Sequence, residues 1–89
     1  MKMSKEAALA ILGDLEILIE DKIISHNRWS VVHRLVVRLD GKIYMTTYSV
    51  GATEYQDETP WQDETEVEFV EVERKEKVVY VYEYVEKKI

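Results

Sequence analysis

The stretch Trp29-Ser30-Val31-Val32-His33-Arg34-Leu35-Val36-Val37-Arg38-Leu39-Asp40-Gly41-Lys42-Ile43-Tyr44-Met45-Thr46-Thr47-Tyr48-Ser49-Val50 decides the fold. Its apolar residues recur with period two, as side chains on a strand alternate between faces. Trp29, Val31, His33, Leu35, Val37 and Leu39 share one face, and Val32, Arg34, Val36 and Arg38 the other. Asp40-Gly41 interrupts the alternation with the dipeptide that tolerates positive φ at both central positions of a tight hairpin turn. If Leu39 faces Lys42 across that turn, the register follows: Val37 opposes Tyr44, Leu35 opposes Thr46, His33 opposes Tyr48 and Val31 opposes Val50. The first face is the expected core face. A hydrogen bond between His33 and Tyr48 would satisfy the histidine. The other face, with Val32, Val36, Ile43 and Met45 among Arg34, Arg38 and Thr47, is itself partly apolar. A second apolar face on a small sheet calls for another layer or a partner, or consists of scattered surface hydrophobes between arginine stems.

Upstream, residues 5–20 read as a helix. Ala8, Leu12, Leu15 and Ile19 form a stripe that Ile11 and Leu18 widen. Ser4 is the expected N-cap and Glu6 suits the first turn. Gly13 falls inside this helix, where close packing on a sheet would explain it. The run from Leu15 to Ile19 also reads as the start of a strand. Ser25-His26-Asn27 is a turn.

Downstream, residues 51–64 form a polar connection that holds Pro60. Val67 and Phe69 share one phase and Val70 and Val72 the other, which predicts a β-bulge near Phe69-Val70. Glu73-Arg74-Lys75-Glu76 reads as a charged reversal. Val78, Tyr80, Tyr82 and Tyr84 then alternate with Val79, Val81, Glu83 and Val85 in a strongly β-prone last strand, followed by a frayed end. The reading is one α+β domain over residues 1–89, an N-terminal helix packed on an antiparallel sheet of about four strands in meander order.

Charge is concentrated. Residues 54–73 hold nine of the 18 carboxylates and no Lys or Arg, whereas residues 1–53 carry +7 and −6 and residues 74–89 carry +5 and −3. The net charge of −6 therefore comes from one segment. Such a surface repels nucleic acid and membrane and attracts basic protein surfaces. Tyr55 and Trp61 lie among these carboxylates, and an aromatic ringed by charge has the look of an interface anchor. Partner binding is therefore expected at Glu54, Tyr55, Asp57, Glu58, Trp61, Asp63, Glu64 and Glu66. The competing expectations are a solvated acidic rim, with Trp61 folded back as a lid on the core.

The absence of cysteine removes disulfides, thiolate metal sites and a thiol nucleophile, and fits a reducing compartment. With His26 and His33 the only histidines, no metal site or cofactor is expected. No Gly-rich phosphate loop and no nucleophile elbow is present. No uncharged run reaches signal-peptide or membrane-spanning length. The expectation is a non-enzymatic cytoplasmic protein with no direct nucleic-acid or membrane contact. A homodimer is also expected, because the second hairpin face and the last strand both carry apolar surface that a short chain needs to bury.

The segments Arg28-Trp29-Ser30, Asp40-Gly41-Lys42-Ile43-Tyr44 and Thr47-Tyr48-Ser49-Val50-Gly51-Ala52-Thr53-Glu54-Tyr55-Gln56-Asp57-Glu58-Thr59-Pro60-Trp61 together resemble a group of small uncharacterised proteins of tailed bacteriophages. The resemblance covers residues 22–85 and is most specific over 48–60. It brings no functional residue with it. It implies a phage-encoded accessory protein acting inside a bacterial host, of the kind that binds and inhibits host defence machinery such as a CRISPR nuclease. The partner surface would then be a basic one on a host protein. The alternative is an oligomeric binder that sequesters a nucleotide signal through Arg28, Arg34 and Arg38.

Overall fold

A computed structural model describes residues 1–53 and 56–86. Strand β1 (Lys2–Ser4) leads into helix α1 (Lys5–Leu12); strands β2 (Leu18–His26), β3 (Ser30–Leu39), β4 (Lys42–Gly51), β5 (Glu66–Glu68) and β6 (Val70–Val72) follow. The strands β2-β3-β4-β6 form an antiparallel four-stranded sheet in meander order, and β1 pairs with β5 beside it. The architecture is α+β, as the alternation predicts. Among the described residues, no helix is long and apolar enough to cross a membrane.

The β3–β4 hairpin has the register read from the sequence, with Leu39 opposite Lys42, His33 opposite Tyr48 and Val31 opposite Val50. Asp40 (φ 51°) and Gly41 (φ 78°) both lie in the left-handed region, as a two-residue hairpin turn of this type demands. Leu35, Val37 and Tyr48 on the predicted face are buried and join Ala8, Trp61, Val67 and Phe69 in the core. Trp29, expected on that face, is instead exposed. Regular pairing begins only at Ser30, because Asn27 Oδ1 accepts from both Trp29 N (2.8 Å) and Ser30 N (2.7 Å) and holds the tip of the β2–β3 turn. The turn is thus centred beyond Asn27, and Ser25 and His26 belong to β2.

Helix α1 is shorter than residues 5–20. Ser4 caps it as expected, its Oγ accepting from Ala7 N at 3.2 Å. It ends at Leu12, with Gly13 as its C-cap and not in its interior. Asp14 explains the stop: its Oδ1 accepts from Glu16 N at 3.0 Å, a local bond that competes with continuing the helix. Leu18 to His26, rich in isoleucine, goes to the sheet. The chain pairs there through two register shifts, between Leu18 and Glu20 and between Ile23 and Ser25.

No register shift marks Phe69. The strand changes partner there. Val67 and Phe69 are buried beside β1, and from Val70 onward the chain pairs with β4, where Val70 opposes Met45 and Val72 opposes Ile43. The swap of apolar phase reflects which face is covered on either side of Phe69. The expected last strand over 78–85 finds no partner among the described residues: residues 73–86 belong to no helix or strand and are exposed.

Candidate functional site: an acidic strip on a locked loop

The connection between β4 and β5 is folded onto the sheet by its own hydrogen bonds. Gly51 N donates to Glu58 O (3.1 Å), and Gln56 Oε1 accepts from Ala52 N (2.9 Å) and Thr53 N (3.2 Å). Ser30 Oγ donates to Glu58 Oε1 at 2.5 Å, and Ala52 N donates to Trp29 O at 3.1 Å, tying the loop to the start of β3. Gly51 is needed for space: a Cβ there would collide with the Gln56 carbonyl. Trp29-Ser30 and Gly51-Ala52-Thr53 with Gln56 and Glu58 are therefore the residues that close this loop.

Trp61 is the loop's inward anchor. Its indole is 8% exposed, donates from Nε1 to Thr47 O (2.9 Å) and packs obliquely on Tyr48 and Phe69 at centroid distances of 5.8 and 6.5 Å. Its backbone φ of 53° is unusual for a bulky residue. That conformation costs about 1–2 kcal/mol. Truncating a buried tryptophan costs about 3–5 kcal/mol, so burial wins and the strained backbone persists. Trp61 takes the lid position, with little of its surface left exposed. Glu54 and Tyr55 lie outside the described residues.

The carboxylates form a continuous band. Asp57, Glu58 and Asp63 line one shallow cleft beside Trp29; Glu58, Asp63 and Glu64 line the next, over Tyr48 and Trp61; Glu64, Glu66 and Glu68 line a third along β5. Each cleft shares an acidic residue with its neighbour. Among the described residues, the one ion pair along this band is a 3.9 Å contact of Glu68 with the Met1 ammonium. Lys5, whose Nζ reaches Gln62 O at 3.3 Å, is the basic residue seen to contact the loop. Of the predicted positions, Asp57, Glu58, Asp63, Glu64 and Glu66 thus come together, and Glu68 extends them along β5.

The three arginines do not converge. Arg28 lies over the Trp29 ring at 5.2 Å in the β2–β3 turn, Arg34 holds Glu20 through Nε and Nη2 at 3.0 Å, and Arg38 lies near the far end of β3. The step from Ser30 to Arg38 along β3 is by itself about 27 Å at about 3.4 Å per residue, far beyond one phosphate group.

One polar cluster was not foreseen. Asp21 on β2 accepts from Tyr48 Oη through Oδ2 (2.6 Å), and its Oδ1 lies 2.9 Å from His33 Nδ1. His33 and Tyr48 do not bond each other; their rings stack at 4.7 Å and 12°. Burial, together with the hydrogen bond and charge of Asp21, pushes the Tyr48 phenol well above the ordinary tyrosine range. The cluster joins β2 to β4 across β3, and it was hidden because the register of β2 depends on its two shifts. Among the described residues, no group of three or more acidic or histidine side chains is placed to hold a metal ion.

No protein-family model, curated protein or solved structure matches the chain.

Proposed function

We propose that the protein is a non-enzymatic binding module that presents the band Asp57-Glu58-Asp63-Glu64-Glu66 to a basic surface on another protein. The observation that carries this reading is a run of carboxylates with almost no neutralising cation, held on a hydrogen-bonded loop. A solvated rim needs charge but not a locked backbone; a recognition surface gains from both, because a preorganised loop loses less entropy on binding. In this reading Trp61 is the internal support of the band. Encounter rate and salt sensitivity come from the carboxylates. The phage-protein resemblance supplies the context: an accessory protein in the cytoplasm of a bacterial host, whose target is a basic, nucleic-acid-binding groove of a defence protein.

The test compares the full chain with a variant carrying Asp57→Asn, Asp63→Asn, Glu64→Gln and Glu66→Gln, immobilised side by side in bacterial lysate at low salt. The expected result is a host protein retained by the first and lost from the second, and released from the first as salt passes the ~8 Å screening length of physiological buffer. Equal retention by both would overturn the acidic band as the binding surface.

A further inference from the structure

The segment after β6 has no place in its own sheet, and the reason is the register. Val72 pairs with Ile43, two residues from the Gly41 turn. β6 therefore runs off the end of β4, and among the described residues no strand lies beside residues 74–86. A return along β6 would need a turn within Glu73-Arg74-Lys75-Glu76. Residues 70–86 contain no Gly, Pro, Asn or Asp, the residues that tight turns require. The arm continues outward instead. Tyr80, Tyr82 and Tyr84 are 83, 96 and 104% exposed, and Val78, Val79, Val81 and Val85 are exposed with them. The radius of gyration is 17.7 Å, where a compact domain of this length has about 12 Å. An exposed run of alternating valines and tyrosines, ready to pair and without a partner, is what folded proteins ordinarily avoid.

We propose that this arm is a dimerisation element, and that residues 74–86 of two copies pair antiparallel about a two-fold axis at Tyr80. Charge selects the partner and the register. The arm begins with Arg74, Lys75 and Lys77 around a single carboxylate, Glu76, and further on carries only Glu83 and Glu86, so an antiparallel second copy is its electrostatic complement. A two-fold axis perpendicular to the ribbon pairs residues of like parity. Centred on Tyr80, it sets Lys77 opposite Glu83 and Arg74 opposite Glu86, each pair occurring twice. Val78 then meets Tyr82, and Val79 meets Val81. Centred instead on Val79, the only opposite-charge pair is Lys75 with Glu83; centred on Val81, Glu76 meets Glu86. Cross-strand aromatic, β-branched and opposite-charge pairs are the pairs that stabilise sheets. Tyr80, Tyr82 and Tyr84 share one parity, so the pairing gathers six tyrosines on one face of the ribbon, where neighbouring rings cover part of one another's surface. The contact is independent of the acidic band.

Sedimentation equilibrium of the full chain, with amide hydrogen exchange, tests this. The expected mass at high micromolar concentration is twice 10.5 kDa, with slowed exchange over 76–84. Val79→Lys with Val81→Lys sets lysines opposite each other at the centre and should abolish the dimer. The far-ultraviolet spectrum and Trp61 emission of the sheet should remain unchanged. Lys77→Glu should weaken dimerisation roughly tenfold, and adding Glu83→Lys should restore it. A monomer overturns the proposal, whether its arm amides exchange freely or are protected by folding back. A dimer that survives the two valine substitutions also overturns it, and failure of the charge swap to rescue overturns the pairing about Tyr80.

Discussion

Replacing Trp61 by alanine separates a support from an anchor. The ring is almost wholly buried against Tyr48 and Phe69, and its Nε1 satisfies the Thr47 carbonyl at 2.9 Å. A tryptophan buries about 200 Å², which at about 25 cal/mol per Å² is worth about 5 kcal/mol as an upper bound. The lost hydrogen bond adds about 1 kcal/mol, and partial collapse of the site returns some of the sum. A loss of about 3–5 kcal/mol follows. At about 4–8 °C per kcal/mol for a domain of this size, Tm should fall by roughly 12–40 °C. The φ of 53° adds an internal control. Glycine adopts that conformation freely whereas alanine resists it by about 1–2 kcal/mol, so Trp61→Gly should be no less stable than Trp61→Ala. Thermal denaturation followed by circular dichroism reads all three proteins. A Tm change of less than about 5 °C in Trp61→Ala would refute the support role. A glycine variant clearly less stable than the alanine variant would refute the balance of strain against burial.

The two glycines that flank β4 should fail for different reasons. Gly41→Val meets open space but must hold φ near 78°, and a β-branched residue there should cost about 2 kcal/mol or more in urea denaturation. Gly51→Ala has no such backbone demand; it collides with the Gln56 carbonyl, so about 1–3 kcal/mol should be lost, with faster amide exchange at Ala52 and Thr53, whose N–H groups donate to Gln56. Tyr48 governs alkaline stability. Its phenol holds its proton more tightly folded than unfolded, so above about pH 10 the native state binds more protons and stability falls as pH rises. Tyr48→Phe should remove up to about 1.4 kcal/mol per pH unit of that slope, seen as shallower loss of Tm in the alkaline range, and an unchanged slope would contradict the assignment.

How much was legible in the sequence differs from element to element. The β3–β4 hairpin was written in local terms: period-two alternation, and a dipeptide that closes one kind of turn. Its whole register followed because side-chain period and turn length leave one solution. The Ser4 cap was equally local. The gathering of carboxylates was visible as a charge count, although their alignment into a band required the loop to fold. What only the tertiary structure decided lies in contacts between residues far apart. The run from Leu15 to Ile19 satisfied both a helical stripe and the start of a strand, and pairing with β3 gave the chain from Leu18 onward to the sheet. Trp61 looked like an exposed anchor among charges, and only the space above Tyr48 and Phe69 turned it inward. Asp21 had no visible role until two register shifts brought it to His33 and Tyr48. The run 78–85 reads as an ordinary last strand, since alternation reports the readiness to pair and is silent about whether a neighbour is there. That depended on where β6 meets β4. Joined three positions from its end, at Met45, β6 can pair only until the hairpin runs out.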